Sequence, residues 1–222
     1  MSPLVGLFQQ RCVQVTFSLL ENIFLSLLYL SLLLRNIFYW YSLILLLIEI
    51  FVQEMVERIL YIWAIRHPAS GYVQGINDLV TPFLMVFLQD FVEKDVTRNN
   101  FEFEELEETV RKNIEADSFW CMTKVLDGIQ DNYTFAQPGI QVKIRQLEEL
   151  LKRVDDRLHS HIVGHDVQYL QFSFRWMNNL LLRELPLNAT IRLWDTYLSE
   201  PDGFNKFHLY VCAAFLCRWI LI

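Results

Sequence analysis

The chain has 222 residues, enough for one large domain or for one domain with an appendage. Its formal net charge of -7 at pH 7 argues against a nucleic-acid partner, since such proteins carry basic patches. The cysteines show neither CxxC pairing nor the spacing of a disulfide framework, so we expect reduced thiols in a helical core: Cys12, Cys121, Cys212 and Cys217.

The first part of the chain is a different kind of sequence. Residues 23–48 carry no charge except that of Arg35. A bilayer-spanning helix needs about 20 apolar residues, and the apolar residues here outweigh the cost of about 2.5–3.5 kcal/mol for one arginine. The segment either enters a membrane or packs as helices on the rest of the chain. A cleaved signal peptide fits less well, because no small-residue cleavage site follows. We treat residues 1–53 as an apolar helical segment of unknown role.

After residue 53, apolar residues recur at helical spacing and no segment alternates with period two for long. The pattern predicts an all-α fold. Pro68 closes the first helix, Asn77 or Asp78 caps the second, and Pro82 lies near the first turn of that second helix. The predicted helices cover residues 54–67, 77–88, 114–130, 140–158, 165–183, 188–198 and 204–222.

Two segments have a distinctive composition. Residues 89–113 are rich in charged residues and Asn, which predicts a solvated loop with a short helix. Residues 140–158 are strongly amphipathic, with an apolar face made of Leu147, Leu150, Leu151 and Val154.

The histidines do not form a metal site by their spacing. No cysteine or carboxylate stands at ligand spacing from the group that follows the amphipathic helix, so we expect a solvated helix end there. The group consists of His159, His161 and His165, and the other two, His67 and His208, are isolated in sequence.

The most informative stretch joins the first two predicted helices. Gly71 and Gly75 bracket a turn in which the backbone can adopt positive φ or be approached closely. Gln74 is presented from this turn. From the residues alone, such a glutamine is usually an ordinary loop residue.

Here the sequence resembles the TBC domain, the Rab-GTPase-activating family. Residues 71–77, GYVQGIN, resemble the GYxQGMN signature of that family. Two further blocks agree in order, FRW…RELP at 174–186 and RLWD at 192–195. The resemblance covers residues 54–222, which implies a multi-helix TBC domain, incomplete at both ends. In detail, the amino-acid sequence is similar to the member-twenty-two subgroup of the family, which is linked to the Golgi.

The resemblance implies a mechanism with two fingers supplied to a bound GTPase. A glutamine orients the attacking water, and an arginine stabilises charge on the transferring phosphoryl group. Gln74 matches the glutamine of the family. Tyr72, Gly75 and Asn77 would shape the bend or contact the GTPase, and Arg183 is a further candidate contact.

The arginine of the family comes from a separate motif, IxxDxxR, some tens of residues before YxQG. Asp78 is the first aspartate of the chain, so no such motif precedes Gln74. Neither Arg11 nor Arg35 has the motif around it. Because an arginine finger is worth about 10³ to 10⁵ in rate, we expect weak or absent GTPase activation.

The remaining motif residues have mainly structural interpretations. Trp176 and Trp194 are large apolar side chains at helical positions, so we expect core packing. Arg175, Arg183 and Arg192 are candidates to tie helices together through Glu184, Asp195 or Glu200, and Asp195 fits that role better than the role of a general base.

The sequence therefore predicts a Rab GTPase activator of vesicle and Golgi traffic, weak for want of an arginine. The alternative is a non-catalytic Rab-binding scaffold, with membrane anchoring through residues 23–48 compatible with either. No GxxxxGK loop is present, so we expect no hydrolase activity of its own. We expect no cofactor and no metal, because the partner GTPase brings GTP and Mg²⁺. We expect a cytoplasmic location, with Golgi or other membrane association.

Overall fold

A computed structural model of the chain describes residues 50–91 and 106–219. Regular structure within these two ranges is helical, with no strand, which confirms the all-α class. Eight α-helices follow one another: α1 Ile50–Arg66, α2 Ile76–Phe91, α3 Glu108–Asp127, α4 Pro138–Val154, α5 Asp156–Gly164, α6 Tyr169–Asn179, α7 Leu187–Ser199 and α8 His208–Trp219. A short 3-10 helix, Gln130–Asn132, and a π-helical turn, Gly203–Phe207, connect some of them.

The helices form two groups that share α6. Helix α2 contacts α1, α3, α6 and α7, and helix α4 contacts α5, α6 and α8. Since α6 contacts both α2 and α4, its residues reach the segment that precedes α2. Apolar side chains along α2 are buried at helical spacing, including Leu79, Leu84 and Leu88. The joint core therefore fixes the start of α2 against the end of α6.

Helix α2 begins earlier than the sequence predicts. Its first residue is Ile76, so Asn77 and Asp78 lie inside the first turn and do not cap the helix. The Asn77 side chain accepts a hydrogen bond from the Gly75 N–H at 3.1 Å instead. Pro82 consequently lies within the helix, where it cannot donate to the Asp78 carbonyl as a helical N–H would. The predicted cap was wrong because both polar side chains have other partners.

The predicted helix over 140–158 is two helices. Asp155 has φ -145° and ψ 82°, which are not helical, and its carboxylate accepts a hydrogen bond from the Leu158 N–H at 3.0 Å. Asp155 thus ends α4 and caps α5. Val154 is half exposed, which contradicts its predicted place on the apolar face. The buried face of α4 consists of Ile140, Lys143, Ile144, Leu147 and Leu151.

The predicted helix over 165–183 is shorter at both ends. A capping box between Gln168 and Gln171 starts α6. The helix stops at Asn179, because Leu180 and Leu181 adopt left-handed φ values of 52° and 62°. Left-handed backbone costs a non-glycine residue roughly 1–2 kcal/mol. Both leucine side chains are fully buried, so packing imposes the turn that local propensity would not choose.

His208 is not isolated, as the sequence suggested, but lies in the core. Its Nδ1 is 2.9 Å from the Tyr197 hydroxyl, and its Nε2 is 3.1 Å from the Trp176 carbonyl. A carbonyl only accepts, so Nε2 carries the hydrogen and Tyr197 donates to Nδ1. Burial, aided by the charge of Lys143, lowers the pKa of His208 to about 3. The imidazole is therefore neutral at physiological pH.

The other helix predictions differ in accuracy. Helices α1 and α7 match their predictions within a few residues, whereas α3 begins at Glu108 instead of residue 114. The stretch 204–222 contains the π turn before α8. The three cysteines in the described ranges, Cys121, Cys212 and Cys217, are free thiols.

Several predictions fall outside the described residues. Most of residues 1–53, with the candidate membrane segment 23–48, belong there, as do residues 92–105 of the predicted loop. Among the helices that the structure does describe, none combines the length and the apolar character needed to cross a bilayer.

Candidate functional site

The bend, residues 71–75, connects α1 to α2. After α1, the Gly71 N–H donates to the His67 carbonyl at 2.8 Å, which turns the chain back. Gly71 has φ +59° and Gly75 has φ +109°, both in the region that favours glycine. The two glycines therefore occupy the positions at which the backbone must depart from ordinary conformations, as the sequence predicted.

Gln74 is exposed while its backbone is fixed. Its side chain points away from the core and makes no hydrogen bond to another described residue. Its carbonyl, in contrast, accepts a hydrogen bond from Nδ2 of Asn178 at 3.3 Å. An amide side chain both donates and accepts hydrogen bonds, so this arrangement leaves both functions available to a bound partner.

Asn77 connects the bend to the first turn of α2. Its Oδ1 accepts from the Gly75 N–H at 3.1 Å and from the Tyr72 hydroxyl at 3.3 Å. The Tyr72 side chain remains 54% exposed, so its ring is available on the surface beside Gln74. Asn77 lies behind Tyr72 and shapes the bend from within. The predicted roles of both residues toward a GTPase remain predictions.

Asp78 is the centre of a polar cluster below the bend. Its Oδ2 accepts hydrogen bonds from Asn179 Nδ2 and from Arg183 Nε, each at 2.6 Å, and its Oδ1 accepts from Asn77 Nδ2 at 3.0 Å. The Asp78 side chain is only 13% exposed, and hydrogen bonding to it raises the pKa of Arg183. The cluster attaches the start of α2 to the end of α6 and the turn after it.

Arg183 thus has the helix-tying role that the sequence predicted, but with a different partner. It binds Asp78, four residues after Gln74, and not Asp195 or Glu200. Its side chain is still 48% exposed, so a contact with a partner stays a prediction. Among the described residues, Arg183 and Arg175, the two arginines of the motif blocks nearest the end of α6, bind Asp78 and Glu184 and not Gln74.

Asn178 joins the bend to a third element. Its backbone carbonyl accepts a hydrogen bond from the Tyr133 hydroxyl at 2.8 Å. Tyr133 is fully buried, and burial raises its pKa, so the hydroxyl stays protonated as a donor. The support for Gln74 thus extends from Asn178 into the core.

Sequence reasoning missed Asp78, Asn178 and Asn179 as members of the site. The available signal was a pair of adjacent asparagines inside an otherwise apolar run, WMNNLLL at 176–182. Buried polar side chains are almost always hydrogen-bonded, so such a pair indicates partners elsewhere in the fold. Their partner segment lies about one hundred residues earlier in the chain.

The other motif residues are distributed around the core. Arg175 and Glu184 form an ion pair at 2.6 Å, one of the pairings that the sequence predicted. Trp176 and Trp194 are buried, as predicted, and Trp194 donates its indole N–H to the Leu180 carbonyl at 3.2 Å.

Two of the residues that were predicted to join helices through ion pairs do not do so within the described ranges. Arg192 and Asp195 are exposed on α7, and neither forms an ion pair with another described residue. The predicted helix-tying role of Asp195 is therefore not seen within these ranges, because its carboxylate faces solvent.

Two surface grooves flank α1. One, of about 450 Å³, is mostly apolar and extends from Val56 and Leu60 to Tyr72, so it adjoins the bend. The other, of about 650 Å³, lies between α1 and α3 and contains no residue of the bend. Within the described ranges, no cluster of three or more histidine, cysteine or acidic side chains is arranged to hold a metal ion.

The two glycines of the bend predict different costs of substitution. A Cβ at Gly75 would lie 2.2 Å from Nδ2 of Asn178, whereas a Cβ at Gly71 would meet nothing within 4 Å. Gly71→Ala should destabilise by about 1 kcal/mol through its φ alone. Gly75→Ala should cost about 1–3 kcal/mol more, because it also displaces a buried side chain. Urea denaturation of both variants measures the difference, and equal losses would contradict the close packing of Gly75.

Comparisons with known proteins show which family the chain belongs to. The sequence model of the Rab-GTPase-TBC domain matches residues 50–220. TBC1 domain family member 22B of Homo sapiens is 69% identical over 168 residues, which cover 76% of this chain and 33% of that protein. GTPase-activating protein gyp1 of Schizosaccharomyces pombe is 57% identical over 168 residues, covering 75% of this chain and 32% of that protein. The chain spans about a third of the length of these curated relatives.

A solved structure also matches the fold of this chain. The crystal structure of the Ypt/Rab-GAP domain of Gyp1p matches with a TM-score of 0.69 and 42% sequence identity. The match covers 96% of this chain and 68% of that one. The chain therefore belongs to the Rab-GTPase-TBC domain family.

Proposed function

We propose that this chain binds a GTP-loaded Rab GTPase through the bend and uses Gln74 to orient the attacking water. The observation that carries the proposal is the exposed Gln74 side chain on a backbone that Asn178 holds in place. The names of two similar proteins, GTPase-activating protein gyp1 and the Ypt/Rab-GAP domain of Gyp1p, support the same class of partner.

The chemistry of the glutamine fits this role. GTP hydrolysis depends on positioning the water in line with the γ-phosphoryl group and on stabilising charge in the transition state. The amide oxygen of Gln74 can accept a hydrogen bond from the water, and its NH₂ can donate one to an oxygen of the partner. GTP and Mg²⁺ come with the Rab in this proposal. The chain itself supplies no cofactor and is an activator, not a nucleotide hydrolase.

The activation we propose is weak. No IxxDxxR motif precedes Gln74 in the sequence, and Arg183 is attached to Asp78. Charge on the transferring phosphoryl group would then lack the arginine that contributes about 10³ to 10⁵ in rate. This same observation supports a second function, a non-catalytic Rab-binding scaffold.

Substituting Gln74 distinguishes the two functions. Gln74→Ala should retain binding to GTP-loaded Rabs and lose whatever acceleration the unchanged chain shows in single-turnover hydrolysis. Gln146→Ala removes another exposed glutamine, on α4, and should change neither quantity. Acceleration that survives Gln74→Ala would contradict the role of Gln74. Binding with no acceleration by the unchanged chain would support the scaffold.

We further propose a place in vesicle and Golgi traffic, with membrane association through residues 23–48 as the finer hypothesis. The apolar, nearly uncharged composition of that segment supports it. Carbonate extraction of the chain from cell membranes is the test. An inserted segment should keep the protein in the pellet, whereas release into the supernatant would exclude insertion.

A further inference from the structure

Asn178 is the penultimate residue of α6 and is buried at 8% exposure. Its NH₂ group lies 3.3 Å from the Gln74 carbonyl and 3.4 Å from Oδ1 of Asn179. Carbonyl oxygens only accept, so the NH₂ end of the amide must face Gln74. The two hydrogens of the group therefore have two acceptors, which fixes how the amide is oriented.

Gly75 makes this contact feasible. A side chain at that position would begin 2.2 Å from Nδ2 of Asn178, so only glycine lets the amide come this close to the bend. The glycine next to Gln74 thus has a second role besides its positive φ, because it admits the side chain that holds the Gln74 carbonyl.

The end of α6 is built to deliver two adjacent asparagines. Asn178 donates a hydrogen bond to the Gln74 carbonyl in the bend, and Asn179 donates one to the Asp78 carboxylate in the first turn of α2. The two left-handed leucines that follow, Leu180 and Leu181, are an unfavourable way to end a helix. Strained backbone of this kind persists where the surrounding structure over-determines it, and it concentrates at functional sites.

We infer that Asn178 is a positioning residue for the glutamine finger, setting the direction of Gln74 by holding its carbonyl. This inference rests on the proposed function. Asn178 does not touch the GTPase in this account, since it is buried behind the bend. Its loss should therefore affect the alignment of Gln74 more than the docking of the Rab.

Two variants test the inference. Asn178→Asp has nearly the same shape but no donor, and Asn178→Ala removes the amide without burying a charge. Ser173→Ala is the matched control, because it deletes another buried side-chain hydrogen bond of α6, from Ser173 to the Tyr169 carbonyl at 2.7 Å. Thermal denaturation confirms that each variant folds.

The first measurement uses the chain alone. Hydrogen–deuterium exchange of the peptide over residues 70–78 should speed up about threefold to tenfold in both Asn178 variants, as expected for the loss of one hydrogen bond. Ser173→Ala should leave this peptide unchanged. Unaltered exchange of the bend in both folded variants would overturn the inference without reference to any Rab.

The second measurement concerns alignment. The probe is a Rab that binds the chain, loaded either with a non-hydrolysable GTP analogue or with GDP and aluminium fluoride, which mimics the transition state. The unchanged chain should prefer the transition-state form, and both Asn178 variants should lose about threefold to tenfold of that preference, as Gln74→Ala should.

The outcomes separate the two proposals. Equal loss of affinity for both Rab forms would mean that Asn178 serves only the fold, and it would overturn the inference. Retained preference in the Asn178 variants would do the same while leaving the proposed function intact. Failure of the unchanged chain to bind any Rab would instead defeat the proposed function.

Discussion

In a single-turnover assay at matched concentrations, this chain is expected to accelerate Rab GTP hydrolysis about 10³ to 10⁵-fold less than a family member with both fingers. The reason is that no IxxDxxR motif precedes Gln74. A glutamine alone can orient the water, but it cannot neutralise the charge that develops on the phosphoryl group. The reference protein is a TBC domain that contains both the YxQG and the IxxDxxR motifs.

The comparison of hydrolysis rates requires that the chain is folded and bound to the Rab. The Rab should be used at a concentration at which binding of the chain is saturated, so that a low rate reports chemistry and not affinity. A rate within tenfold of the reference would contradict the prediction. It would mean that a group outside the motif supplies the missing positive charge.

Acid should destabilise the fold through His208. The folded state holds this imidazole neutral, because burial lowers its pKa to about 3, whereas the unfolded chain protonates it near its ordinary value of about 6.5. Between these two values the unfolded state binds more protons, so stability falls as the pH is lowered from about 6.5 toward 3. The expected loss is on the order of several kcal/mol, since each pH unit is worth about 1.4 kcal/mol per proton.

His208→Gln should flatten this part of the stability profile. His161→Gln is the matched control, because His161 is exposed on α5 and should leave the profile unchanged. The neighbouring Lys143 does not contribute to the pH dependence of stability between pH 7 and pH 4. Burial lowers its pKa to about 8, so the stability changes with pH through Lys143 only between about pH 8 and its ordinary value of about 10.5, and the cost is constant at lower pH. Urea denaturation from pH 7 to pH 4 decides, and parallel slopes for His208→Gln and the unchanged chain would contradict the prediction.

Much of the fold could be predicted from apolar spacing. Helix α1 was recognisable because its periodicity ends at a proline, and α7 because apolar residues recur along it at helical spacing. The wrong helix boundaries lie at polar residues. Some of these residues bind partners that are distant in sequence, and one of them caps the helix that follows it. Asn77 and Asp78 resemble helix caps in sequence, but contacts with the bend and with α6 engage them. Asp155 interrupts a continuous amphipathic pattern because its side chain starts a new helix.

The candidate site was predictable only in part. The paired glycines and the resemblance to the family pointed to Gln74, which the structure places on the surface. Asn178 could not be assigned from its neighbours in sequence, because its function lies in a contact 104 residues away. His208 shows the same limit, since a histidine that is isolated in sequence acquires its partners only when α6, α7 and α8 pack together.

The bend is expected to contact the GTPase, and a footprint of the bound Rab on the chain tests this contact. Hydrogen–deuterium exchange of the chain should be compared with and without a Rab that binds it, loaded with a non-hydrolysable GTP analogue. Protection should appear over residues 70–78 and along the groove of α1 that reaches Tyr72. If a bound Rab instead protects a distant face, such as α5, and exchange of the bend is unchanged, then Gln74 does not act on the GTPase.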